Sequence, residues 1–152
     1  MYQTIKEFIT DYRSESTKTL ATLQEIKDSF NFSPTENSWT LGGLGNHLVM
    51  ALPTILSQVN FTLKKLPAAE QITDLLENYQ VVVENFFAEL QSSWTDAMLT
   101  ESVNFYGMQV KRSEILTIIL KHEIHHRGQL ALLLRIAGKK VPAIYGPSAD
   151  SK

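Results

Sequence analysis

The chain has 152 residues, 43% of them hydrophobic, which is enough for one sizeable core in one domain, residues 1–152. Its 14 Lys and Arg against 16 Asp and Glu give a formal net charge of −2, so the basic bias of a nucleic-acid-binding surface is missing. With no cysteine, disulfides, cysteine-based zinc sites and a cysteine nucleophile are all excluded.

In chain order, Tyr2, Ile5, Phe8, Tyr12, Ser16, Thr19, Leu23, Ile26 and Phe30 step at three-and-four spacing and predict a long amphipathic first helix. Charged residues interrupt this N-terminal segment, so it lacks the apolar run of a signal peptide. The turn-forming cluster NFSPTENSWT ends the helix. A second helix starts near Ser38 or Thr40 and carries Leu41, Leu44, Leu48 and Ala51, with Pro53 expected to kink or interrupt it. After the connection KKLPAAEQ, Ile72, Leu75, Tyr79, Val82, Phe86 and Leu90 lead to Trp94 along a third helical stripe. Both tryptophans, Trp39 and Trp94, are expected to be largely buried.

The stretch SVNFYGMQVKR alternates around a glycine and fits a small hairpin or extended loop. A fourth helix follows, with Ser113 as its N-cap and Glu114 in its first turn. It runs to Ala137, where Gly138 suits the C′ position. From about residue 141 the tail VPAIYGPSADSK reads as irregular and partly mobile. Four helices on one core predict an all-α bundle. Apolar runs such as ILTIIL and LALLL are too short to span a bilayer, so no membrane partner is expected. The sequons at Asn31 and Asn60 are read as chance matches in a cytoplasmic protein.

Three of the four histidines lie in KHEIHHRGQL on the fourth helix, where His122 to His126 match H-E-x-x-H. Four residues apart, His122 and His126 sit about 40° apart around the axis and about 6 Å along it, so both rings can reach one ion. Ile115, Ile118, Ile119, Gln129 and Leu133 share their face, which is read as the core-facing stripe. His125 falls on the flank and is the weaker ligand candidate. The fourth histidine, His47, is on the second helix, in a glycine-rich turn of sequence (Gly42, Gly43, Gly45) that packing or access would explain. Three histidines from two helices would form one face of a metal site with positions left open. The peptidase reading of H-E-x-x-H fails, because no histidine or glutamate follows His126 to serve as the third zinc ligand.

WTLGGLGNH in the second helix, HEIHHRGQL in the last and the closing GKKVPAIYGPSAD together resemble the damage-inducible DinB family, the DinB/YfiT-like metalloenzyme superfamily. The resemblance covers essentially the whole chain. It implies a four-helix bundle of up-down-down-up connectivity, often a homodimer, with one divalent metal ion per chain. The family's metal triad falls on His47, His122 and His126. Zinc suits such a site best, while nickel, iron or manganese also accept imidazole. Arg127 is given an ion-pairing role, Gly128 a close-packing one, and Gln129 that of a donor behind the ligands or a pocket-lining group.

Some family members resemble thiol transferases, in which the metal binds a small thiol such as bacillithiol, mycothiol or glutathione. The expected function is therefore a metal-dependent S-transferase acting on small electrophiles. The alternatives are a metal-dependent hydrolase or a non-catalytic, metal-stabilised binding module. A hydrolase would want a general base. Glu123 is expected to pair with Arg127 instead, and Glu36 is the other acidic residue considered.

Overall fold

The computed structural model describes residues 1–151; Lys152, the last residue of the expected domain, lies outside the described residues. Helices α1 (Ile5–Gln24), α2 (Leu41–Ser57), α3 (Ile72–Ser93) and α4 (Arg112–Ile136) form the bundle. Strands β1 (Ser102–Phe105) and β2 (Met108–Lys111) make one antiparallel hairpin ahead of α4. Helices α1 and α2 each pack against both α3 and α4, so the order around the bundle is α1, α3, α2, α4. Among the described residues no helix is long and apolar enough to cross a membrane.

Helix α1 opens on a reciprocal cap. Thr4 Oγ1 accepts from the Glu7 amide at 3.1 Å while the Glu7 carboxylate accepts from the Thr4 amide at 3.1 Å. Its inward face carries Phe8, Tyr12, Thr19 and Leu23, all inaccessible to solvent. The helix stops at Gln24, short of the expected Phe30, and Lys27 takes a left-handed φ of 49°. Ile26 remains fully buried in the tight turns that follow, so the apolar period outlasts the helix itself. Phe30 then packs onto α2, where a Cβ on Gly42 would lie 2.3 Å from its ring.

Thr40 caps α2, its Oγ1 accepting from the Gly43 amide at 2.8 Å. The helix runs through Pro53 without interruption, and Pro53 is itself buried. Of the other glycines, Gly45 faces Leu75 of α3, whose methyl would lie 2.5 Å from an added Cβ. The glycine-rich start of α2 is therefore a packing device, letting Phe30 and α3 come close. Asn46 ties the α2–α3 connection to the helix through a reciprocal pair with the Ala69 backbone, at 2.9 and 2.8 Å.

The hairpin turns on Tyr106 and Gly107, both at positive φ (49° and 85°), the signature of a two-residue primed turn. Lys111, not Ser113, caps α4, because the Glu114 carboxylate accepts from the Lys111 amide at 2.9 Å. Ser113 is buried inside the first turn. At the other end Gly138, at φ 71°, makes a Schellman closure. Its amide donates to Arg135 O at 3.0 Å and the Lys139 amide to Leu134 O at 2.8 Å. The tail is irregular but tied down: Val141 is buried, its amide donates to Asp150 at 3.1 Å, and Tyr145 reaches Arg127 and Glu15. Trp94 is buried as expected, whereas Trp39 is 54% exposed.

Candidate metal centre

His47 of α2 and His122 and His126 of α4 meet with their Nε2 atoms turned together. His47 Nε2 lies 3.2 Å from His122 Nε2 and 3.1 Å from His126 Nε2. All three ligand atoms fall within 4.8 Å of one another. An ion at the usual imidazole distance of about 2.1 Å sets its nitrogens about 3.0–3.4 Å apart, between octahedral and tetrahedral angles. The donor set therefore fits one divalent ion.

Gln129 Oε1 lies 2.7 Å from His126 Nδ1, which places the proton on Nδ1 and leaves His126 Nε2 a bare lone pair. His47 Nε2 faces the His122 and His126 Nε2 atoms and carries at most one proton, which the two contacts would have to share. A cation gives all three lone pairs a partner. Desolvation, then the neighbouring His126, holds the His47 pKa below its ordinary value. Desolvation followed by the other three histidines takes His122 down to about 4. Burial lowers His126 as well, against the raising effect of Gln129. The three rings are thus neutral at pH 7, the form that binds metal.

His125 is exposed on the neighbouring face, its ring centroid 4.8 Å from that of His126, and does not join the group. Gly128 has open space around it, not the close packing expected. Glu36 is exposed in the loop before α2.

The core-facing stripe of α4 differs from the expected one by a step around the helix. Leu116, Ile119, Glu123, Arg127, Leu130 and Leu134 are buried, while Ile118 and Leu133 are only partly so and Gln129 is exposed. The histidines sit on the shoulder of this stripe. Glu123 and Arg127 do not form the expected local pair, because other partners take them: tyrosines of α1 and α3 for Glu123, and Glu15 of α1 with Tyr145 for Arg127. Glu123 accepts from the Tyr12 hydroxyl at 3.2 Å and from that of Tyr79 in a shorter contact. Burial raises the Glu123 pKa despite those hydrogen bonds, and pushes both tyrosines well above their ordinary value with the carboxylate beside them.

Arg127 is ion-paired, as expected of it, but to Glu15 of α1 at 2.5 Å, with further bonds to Glu15 O and Tyr145. Burial opposes ionisation of Glu15, yet hydrogen bonds from Lys18, Tyr145 and Arg127 prevail and hold its pKa low. Tyr12, Tyr79, Glu15 and Tyr145 were not singled out from sequence. The four-four-three-four spacing of Ile119, Glu123, Arg127, Leu130 and Leu134 was the available signal that these two charges point inward.

Comparison with known proteins matches residues 1–151 to the DinB family. A Bacillus subtilis (strain 168) relative, the uncharacterized protein YrdA, is 32% identical over 155 residues, spanning 99% of this chain and 93% of that protein. A crystal structure of a DinB-like protein from Bacillus cereus superposes with a TM-score of 0.87 at 35% identity, over 95% of this chain and 100% of the other. A second DinB-like structure, YjoA of B. subtilis, gives a TM-score of 0.73 at 21% identity over 93% and 99% of the two chains, a likeness of fold.

Proposed function

Because this chain belongs to the DinB family, we propose that it is a metal-dependent enzyme holding one divalent ion, zinc by preference, on His47, His122 and His126. The observation that carries this reading is the meeting of three Nε2 atoms from two helices within ligand distance of one another. When bound, an ion with three neutral ligands keeps its full double charge and favours the deprotonated form of a thiol at its open position, chemistry suited to thiol transfer. With no cysteine in the chain, that thiol comes from a small molecule.

The chain's own residues supply position. Gln129 keeps His126 Nε2 turned inward through its bond to Nδ1. The Thr40 cap starts α2 two turns before His47. Arg127 and Glu123 hold the rotation of α4 about its axis from the adjoining core-facing side, through Glu15, Tyr12 and Tyr79. Hydrolysis is the weaker reading here, since the acidic residue of the motif is committed to two tyrosines away from the histidines.

The test is turnover of a model electrophile such as chlorodinitrobenzene with a panel of small thiols, in zinc-loaded and chelated protein. Metal-dependent turnover lost in His47→Ala and His126→Ala supports the proposal. Ester hydrolysis without any thiol-dependent turnover would contradict it.

A further inference from the structure

Two concave lobes flank the histidine group, and Trp39 is a wall of both. One, of about 430 Å³, includes His47; the other, of about 240 Å³, includes Gln129, which orients His126. Met50 and Ala51 line the first, and Leu44, Leu132 and Leu133 the second. Trp39, Met50 and Leu132 are 54%, 48% and 60% exposed, so large apolar side chains stand open to solvent beside the donor nitrogens.

Neither lobe is lined by a Lys, Arg, Asp or Glu. Most of the polar side chains there are already engaged within the protein. Asn46 is bonded at both ends to the Ala69 backbone, Thr54 donates to Met50 O at 2.7 Å, and the Ser38 hydroxyl meets that of Thr35 at 2.6 Å. Apart from the histidine, a ligand finds the Asn37 amide, the amide nitrogen of Gln129 and the flat face of an indole. A carboxylate or phosphate held in either lobe would lose water and meet no Lys or Arg side chain there, since the bound ion's open position is taken by the thiol.

We infer that the molecule presented to the histidine group is a small uncharged compound with an aromatic body that stacks on Trp39, which acts as its specificity-determining residue. This rests on the metal-site reading above and narrows it: anionic thiols such as glutathione are poor occupants, and thiols or electrophiles with an apolar ring are good ones. An indole face favours offset or edge contact with a second ring, and each lobe has the size of a small ring system, not of a peptide.

The test uses the cobalt-loaded full chain, titrated with phenylmethanethiol, mercaptoethanol and mercaptomethylbenzoate, following sulfur-to-cobalt absorption. These are alkyl thiols of similar acidity that differ in ring and charge. Phenylmethanethiol should bind at least about tenfold tighter than mercaptoethanol, as burial of a phenyl ring implies. The ring bearing a carboxylate should lose that advantage. Trp39→Ala should erase the preference while cobalt and mercaptoethanol bind as before, and Trp39→Phe should restore part of it. Equal affinities for the first two thiols, or a preference that Trp39→Ala leaves intact, would overturn the inference while the metal site stands. So would a dimer that buries Trp39, dissociates in Trp39→Ala and shows no aromatic preference. Failure to bind cobalt at all would sink the metal-site reading, and this inference with it.

Discussion

His122 and Glu123 are neighbours in sequence but lie in opposite surroundings on α4. Glu123 and Arg127 face inward, and their charged ends are engaged by Tyr12, Tyr79, Glu15 and Tyr145. His122 and His126, on the shoulder of the same helix, are half-buried and turn their Nε2 atoms toward that of His47. The inner pair is a closed network that fixes how the helix sits. The outer pair is left open to something from outside. Adjacent residues of α4 are thus divided by the helical turn between a face engaged within the core and a face turned toward His47.

The largest effect that sharpens this division is on stability. Arg127→Ala leaves the Glu15 carboxylate with only Lys18 and the Tyr145 hydroxyl and should destabilise the fold by about 3 kcal/mol in urea unfolding. Glu123→Ala strands two buried tyrosine hydroxyls and should cost about 1–3 kcal/mol, with metal stoichiometry unchanged. A Glu123→Ala protein that is as stable as wild type but no longer binds metal would exchange the two roles.

The pH dependence of the metal-free protein separates the faces by sign. With His122 near pH 4 when folded and at its ordinary 6.5 when unfolded, the unfolded chain binds more protons between those values. Its contribution is therefore whole above about pH 6.5 and is lost as pH falls through about 4. Glu123 acts in the other direction: its raised pKa makes stability decline as pH rises from the ordinary carboxyl value through the raised one. His122→Ala should flatten the first slope and Glu123→Gln the second, in thermal melts taken across this range. The smallest effect is at Gly128, helical and open on all sides, where Gly128→Ala should stabilise by about 0.5–1 kcal/mol without disturbing metal binding. Destabilisation there would restore the close-packing role its position in the motif suggested.

What was legible in the sequence is what local rules govern. The histidine spacing, a start of α2 near Ser38 or Thr40, a hairpin or extended loop around Gly107 and the Gly138 closure each depend on a few consecutive residues, and the structure has a helix start at Thr40, a hairpin and the closure. The partners of Glu123 and Arg127 were not legible, because Tyr12 is 111 residues from Glu123, Glu15 is 112 from Arg127, and the order of helices around the bundle decides who meets them. The local rule, an i,i+4 charge pair, gave the wrong partner for both. Ile26 misled in another way: its burial continues the apolar period of α1 through turns that are no longer α-helix. Trp39 breaks the expectation that tryptophan is interior, and it does so beside His47.

The central claim is that the outer pair, with His47, holds one metal ion. It is tested most directly by cobalt titration of metal-free protein, comparing wild type with His47→Ala, His122→Ala, His126→Ala and His125→Ala. One ion per chain should bind to wild type and to His125→Ala, with affinity lost by about 10-fold or more in each of the other three. Stoichiometric binding that survives His47→Ala undiminished, or that depends on His125 instead of His126, would contradict it.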